Sequence, residues 1–240
     1  MRPTQRPDLT PLAQSLALVP NLHWIVVEDA SQRTPFVTSL LSRLPFSHTH
    51  LLAASQKIEK KKARGVTPRN AGLKLLLDWA DLTEHDVIYF ADDDNSYDLR
   101  LFEQIRDTKR VSVFPVGFMR ALPFSTPVVR NGSVVDFLDH FPAKRTFQLD
   151  MAGFAVNAHF WRSRGAPMFV VRQVGYLEDD FLRALKVNVS HLEPLADNCT
   201  KILVWHTKTT AGQAWTGPTL SKAKTNYPDS NVASLVLQYL

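Results

Sequence analysis

Asp92, Asp93 and Asp94 stand in a row directly after Val87-Ile88-Tyr89-Phe90-Ala91, an apolar run that reads as a strand buried on both faces. Ligands of an open α/β sheet sit beyond the carboxyl ends of its strands, and the triplet falls there. In extended backbone alternate side chains share a face, so Asp92 and Asp94 would point one way and Asp93 the other. Carboxylates this close repel unless a cation lies between them, and a hard divalent ion bridging to phosphate oxygens is a frequent solution. The plainer alternative is that Asp94 or Asn95 caps the following helix while the other acids are solvated.

Glu178, Asp179 and Asp180 open a predicted helix, where acids gain from the positive helix end. One ionised carboxylate among them could instead take a proton from a hydroxyl. His206 ends an apolar strand and is followed by Thr207-Lys208. An imidazole and an ammonium there suit a diphosphate, although a histidine at a strand end is often structural. Arg64 and Arg69 flank Gly65-Val66 close to a helix N-terminus, a favourable place for phosphate. The neighbouring Lys57, Lys60, Lys61 and Lys62 read as a solvated, mobile loop.

These groups need a frame. Residues 9–18 show helical apolar spacing with Asp8 as the expected N-cap, and 23–27 reads as a short buried strand. Thr34-Pro35 opens a second helix to Leu44, 48–53 is a strand, and Thr67 is the expected cap of a helix running to Trp79. After the 87–91 strand come a helix over 97–107 and a strand over 111–116. Strands alternating with helices predict a mostly parallel sheet covered on both faces. Beyond Gly117 the pattern turns antiparallel, with Asn131-Gly132 as a hairpin signal between 127–130 and 134–138. A helix beginning near Glu178, a strand over 202–205 and a polar tail from 211 complete the reading.

Composition sets outer bounds. The chain has 240 residues, 45% of them apolar, which suits one large α/β domain. Its net charge of +5 suits an anionic ligand without demanding one, and no nucleic-acid polymer is expected as a partner. Cys199 is the only cysteine, which excludes an intrachain disulfide and leaves the compartment open. No apolar run reaches the length of a membrane span.

Taken in order, several blocks carry a resemblance. They are residues 22–30 (LHWIVVEDA), Arg64-Gly65-Val66 with Arg69-Asn70, 89–95 (YFADDDN), and Val111-Ser112-Val113 with Pro115-Val116. Residues 150–156 (DMAGFAV), Leu192-Glu193-Pro194 with Asn198-Cys199-Thr200, and Val204-Trp205-His206-Thr207 follow. Over residues 2–208 the chain resembles the β1,3-glucuronyltransferases of glycosyltransferase family 43. The resemblance implies a GT-A fold with one catalytic domain over 2–210, its donor half over 2–116 and its acceptor half over 117–210, and a tail over 211–240. It implies transfer of glucuronate, with inversion, from UDP-glucuronate to the 3-hydroxyl of a terminal galactose on a proteoglycan or glycoprotein glycan. A catalytically impaired paralogue that binds a glycan or a partner is the alternative.

By matching position, Asp94 would hold Mn²⁺, Asp93 and Asp92 would belong to the donor site, and Asp29 would meet the uracil. Arg64, Arg69, His206 and Lys208 would hold the nucleotide and its phosphates. Glu178 would be the base, and Arg145, Asp150, Phe141 and Ser125 would face the sugars. Ser125 stands where the linker-building members have a glutamate, Phe141 where they have a tryptophan, and Lys208 where they have an arginine. The family's first strand ends where this sequence starts, so that strand is expected to be missing. Asn131, Asn188 and Asn198 each begin an N-x-[ST] sequon, Asn198 being the expected glycosylation site. By family, a Golgi-membrane location with a lumenal catalytic domain and a homodimer are also expected.

Overall fold

The computed structural model describes residues 4–55, 65–118, 122–139, 141, 144–170, 172–207, 209 and 217–226. Its architecture is mixed α/β.

Helix α1 (Gln5–Leu16) begins before the expected Asp8 cap; Thr4 is the N-cap and Asp8 is buried within the helix. The apolar spacing still works, because Leu9, Leu12, Ala13 and Leu16 form the buried stripe. Strand β1 (His23–Glu28) pairs in parallel with β2 (Ser47–Leu52), and α2 (Pro35–Leu41) connects them with its proline in the first turn. Helix α3 (Val66–Asp78) follows Gly65, whose φ of 82° is open to glycine at little cost; Thr67, the expected cap, lies inside the helix.

Strand β3 (Val87–Tyr89) carries the acidic triplet at its end. A short β4 (Ser96–Tyr97) precedes α4 (Leu99–Ile105), which is capped by Asp98, whose carboxylate accepts the Arg100 amide at 2.9 Å. Strands β5 (Val111–Val113) and β6 (Val116–Gly117) lie where one strand was expected. The hairpin β7 (Phe124–Arg130) and β8 (Ser133–Leu138) turns at Asn131 and Gly132, with φ of 49° and 74°. That sign at both positions is what the tight twist-matched hairpin turn requires.

Strand β9 (Phe154–Asn157) then enters the middle of the second sheet, and α5 (Ala158–Ser163) follows, capped by Asn157 through the Phe160 amide at 2.9 Å. Helix α6 (Leu177–Ala184), β10 (Glu193–Pro194) and β11 (Val204–Trp205) come next. Helix α7 (Gly217–Asn226) lies within the stretch that reads as a polar tail.

The strand orders are β1-β2, β10-β5-β9-β3 and β4-β11-β6-β7-β8. The expectation of a mostly parallel sheet needs correction. Among the described pairings β1–β2, β5–β10 and β6–β11 are parallel, whereas β3–β9, β5–β9, β4–β11, β6–β7 and β7–β8 are antiparallel. The physical reason is β9. It arrives from the hairpin rather than through a crossover helix, so it is free to run against both neighbours.

Strand β9 also organises the interior. Phe154 and Val156 belong to one apolar cluster with Val111, Val113, Trp161, Phe181 and Leu182. Ala155, between them, belongs to a second with Leu101, Phe102, Phe114 and Leu203. The period of two thus feeds a core on each face. The strand is completely buried, while β3, at the sheet's edge, is partly exposed.

Candidate active site

The acidic triplet leaves the β3 strand into a turn in which the Asn95 amide donates to the Asp92 carbonyl at 3.4 Å. The alternation of faces expected for extended backbone therefore does not apply to Asp92–Asp94, and the following helix is capped by Asp98 rather than Asp94 or Asn95. The turn is held from two sides. Tyr97 donates its hydroxyl to the Asp92 carbonyl at 2.7 Å, and Thr207 donates its hydroxyl to the Asp94 carbonyl at 2.8 Å. Thr207 is placed there by β11, which pairs antiparallel with β4 and parallel with β6.

The Asp92 carboxylate accepts from Arg69 at 2.7 Å. Burial pushes Asp92 above the ordinary carboxylate range, Arg69 pulls against this, and Asp150 and Asp94 add to the rise. Arg69 reaches back over the start of its helix because Gly65 leaves room; a Cβ there would stand 2.3 Å from Arg69 Nη1.

His206 joins the triplet to Asp150. Its Nε2 lies 2.9 Å from Asp150 Oδ2 and its Nδ1 lies 3.0 Å from Asn95 Oδ1, so both ring nitrogens face oxygen. The hydrogen bond to Asp150 raises the imidazole's pKa against the opposing effect of burial, and Asp92 and Asp94 assist. For Asp150, burial would raise the pKa, but His206, the Ala152 amide at 2.9 Å and Arg69 together hold it below the usual range. Glu178, in the first turn of α6, is pushed up to about 7 by burial first and by the charge of Asp150 second, with Arg145 and Arg69 pulling down. Asp92, Asp94, Asp150, Glu178, Arg69, Arg145 and His206 thus share one field, although the chain separates them widely.

Arg145, which also acts on Glu178, donates from Nη1 to the carbonyls of Leu149 and Gly175, each at 3.3 Å, and its Nη2 lies 3.3 Å from Asp139 Oδ1. The Phe141 ring lies 5.3 Å from the Arg145 guanidinium carbon. Ser125 donates its hydroxyl to Asp139 at 2.8 Å. Asp29 accepts the Ser55 amide at 2.6 Å at the end of β1. Arg64 and Lys208, and the lysine loop before Arg64, lie outside the described residues.

Sequence reasoning missed Asn95, Tyr97, Thr207 and Asp139 as parts of this arrangement. The first three lie within or beside the quoted blocks, so their proximity to the acids was available. Asp139 had no such signal. The sequons fall in turns or before a short helix: Asn131 in the hairpin turn, Asn188 ahead of Val189–His191, and Asn198 in a left-handed turn with φ of 54°.

The donor set around Asp94 is chemically suited to a hard divalent cation, being carboxylate oxygen at the end of a strand. Among the described residues no group of His, Cys, Asp or Glu forms a complete metal cage. An ion held by one carboxylate and completed by ligand phosphates needs no such cage.

A family model described as glycosyltransferase family 43 matches residues 12–210. Galactosylgalactosylxylosylprotein 3-beta-glucuronosyltransferase 1 of Rattus norvegicus is 45% identical over 221 residues, 87% of this chain and 66% of that protein. The protein of the same name in Homo sapiens is 44% identical over the same shares. Galactosylgalactosylxylosylprotein 3-beta-glucuronosyltransferase S of Drosophila melanogaster is 43% identical over 211 residues, 87% of this chain and 51% of that protein. The chain therefore spans 66% or less of the length of these relatives. With matched blocks and site residues falling within one continuous stretch, this chain belongs to glycosyltransferase family 43.

Proposed function

We propose that this chain transfers glucuronate from UDP-glucuronate to the 3-hydroxyl of a terminal β-galactose, with inversion. Glu178 carries the reading. A carboxylate tuned to about 7 is half ionised near neutral pH, where a general base is most effective. It shares its electrostatic field with the acids and cations that would hold a nucleoside diphosphate.

In this reading Glu178 accepts the proton of the attacking galactose hydroxyl as that oxygen bonds to the anomeric carbon. UDP leaves from the opposite face with the electron pair of the broken C–O bond. Its diphosphate carries that charge, so no acid is required on the leaving side. His206, whose hold on a proton Asp150 strengthens, would favour the negative charge of the diphosphate, and Arg69, Arg64 and Lys208 would donate to its oxygens. Asp29 and Asp93 would bind the nucleoside. Asp150, Arg145, Phe141 and Ser125 would position the sugars. Asp94 would hold Mn²⁺, which when bound supplies Lewis-acid stabilisation of the diphosphate.

Galactose-terminated glycans of proteoglycans or glycoproteins are the acceptor class we propose. A Golgi-lumenal setting, a homodimer and a glycan on Asn198 are further parts of the proposal, supported by family membership. Among the described residues no helix is long and apolar enough to cross a membrane.

The test is UDP release from UDP-glucuronate with a β-galactoside, with and without Mn²⁺, beside a UDP titration. The expected result is metal-dependent turnover, with UDP affinity reduced at least tenfold by Asp94→Ala. A folded protein that binds UDP but releases none with any β-galactoside would refute the transfer reaction.

A further inference from the structure

A second polar network lies on the acceptor side of Glu178, and its centre is a residue that no motif singles out. The side chain of Asp139 is 3% exposed. Its Oδ2 accepts the Ser125 hydroxyl at 2.8 Å, and its Oδ1 accepts the Phe141 amide at 2.6 Å. Arg145 Nη2 lies 3.3 Å from the same Oδ1, with the Arg145 side chain 5% exposed. We propose that Asp139 is the positioning residue of the acceptor half of the site, holding Ser125, Phe141 and Arg145 in the arrangement that receives a galactoside. The proposal rests on the acceptor roles given to those residues above.

Three features favour this over a purely structural role. The ladder between β7 and β8 already joins the two strands through their backbones, so the hairpin does not need a buried carboxylate to close it. A buried charge is costly unless paired, and here the pair is spent on an arginine that reaches beyond the hairpin. Arg145 ties Asp139 to the carbonyls of Leu149, beside Asp150, and Gly175, ahead of Glu178. One carboxylate thereby fixes a hydroxyl, an aromatic ring and a guanidinium relative to both acids of the site.

The network also has an open valence. Arg145 Nε is buried with no hydrogen-bond partner among the described residues, and a sugar oxygen would satisfy it. Gly175 closes the other side. A Cβ there would stand 2.3 Å from the Phe141 ring, so the ring keeps its place beside the guanidinium only while position 175 lacks a side chain.

The experiment is calorimetric titration of a β-galactoside disaccharide into the full chain with UDP and Mn²⁺ present. Wild type, Asp139→Asn, Asp139→Ala and Ser125→Ala are compared, with UDP affinity and Tm measured for each. Asp139→Asn is expected to weaken galactoside binding at least tenfold while UDP affinity stays within twofold. Ser125→Ala, which removes one spoke, is expected to weaken it less. Asp139→Asn that binds galactoside like wild type overturns the proposal, as does parallel loss of UDP and galactoside. A wild type that binds no galactoside overturns it as well. Turnover is measured alongside: galactoside binding that depends on Asp139 without any transfer would sink the reaction and leave the positioning role standing.

Discussion

Glu178 is pressed toward its protonated form by burial and by the negative charge of Asp150, and a base must be ionised to work. The rate of transfer at low substrate should therefore fall about tenfold per pH unit below an inflection near 7, read from kcat/KM against pH. Asp150→Asn removes a charge that raises that pKa, so the inflection should move to lower pH. Glu178→Gln should lower kcat by about 10²–10⁴-fold while leaving UDP affinity unchanged. The same shift has a sign for stability. The folded protein holds this proton more tightly than the unfolded chain, so the contribution is present below 4.5 and is lost as pH rises through about 7. Glu178→Gln should accordingly raise Tm at pH 8 relative to wild type, and leave it nearly unchanged at pH 4. At this scale the sequence was informative where acids and bases stand beside strand ends or helix starts: Asp92, Asp94, His206 and Glu178 are brought together. It was silent on the tuning, because pKa depends on burial and on neighbours far along the chain.

Among the elements, the start of α3 shows how a backbone angle positions a side chain. Gly65 combines a φ of 82° with Arg69 Nη1 2.3 Å from where a Cβ would be. Gly65→Ala should cost about 1–2 kcal/mol from the left-handed backbone alone, measured by urea denaturation. It should also displace Arg69 from Asp92, so UDP binding should weaken several-fold. The hairpin shows the opposite case, where the signal was clear and its consequence hidden. Asn131-Gly132 fixes Arg130 opposite Ser133 and Val129 opposite Val134, but an irregularity between Val128 and Val129 advances the register, pairing Val128 with Asp136. Thr126 then faces Leu138, which brings Asp139 up to Ser125; an unbroken ladder would have put Leu138 there. A bulge has no dependable sequence mark, so Asp139 could not be found from residue types. Strand β9 was legible as a quoted block and not as a strand, since a run of four apolar-to-polar residues between a turn and a helix has too little length to show a period.

Across the whole molecule, β9 contributes fully buried side chains to two of the three apolar clusters among the described residues. Phe154 is completely buried and packed in the cluster that includes Phe181 and Trp161. Phe154→Ala should cost about 3–5 kcal/mol, a large part of the roughly 5–15 kcal/mol that holds a typical domain together. The expected readout is a sharply lowered denaturant midpoint, with loss of UDP binding only where the protein is also unfolded. The two-faced arrangement also explains why the class α/β and the antiparallel hairpin were readable while the direction of β9 was not. Burial pattern reports which residues are inside, and direction is decided by how the chain enters the sheet.

The turn at Ala196, Asp197, Asn198 and Cys199 holds φ of 55°, 58°, 54° and 62° in succession, and none of these residues is glycine. At about 1–2 kcal/mol each, such a turn is unstable by itself and persists only through what surrounds it. Its anchors are distant: Gln104 accepts the Ala196 amide at 2.8 Å, and Cys199 Sγ lies 3.6 Å from the Val113 carbonyl. Time order follows from this. Bonds from the Thr200 and Lys201 amides to the Ala196 carbonyl close the turn on itself, but its ties to α4 and β5 form only once those elements are in place, so it is expected to close late and open early. Gln104→Ala should therefore speed unfolding several-fold in a stopped-flow dilution experiment while leaving the refolding rate close to that of wild type.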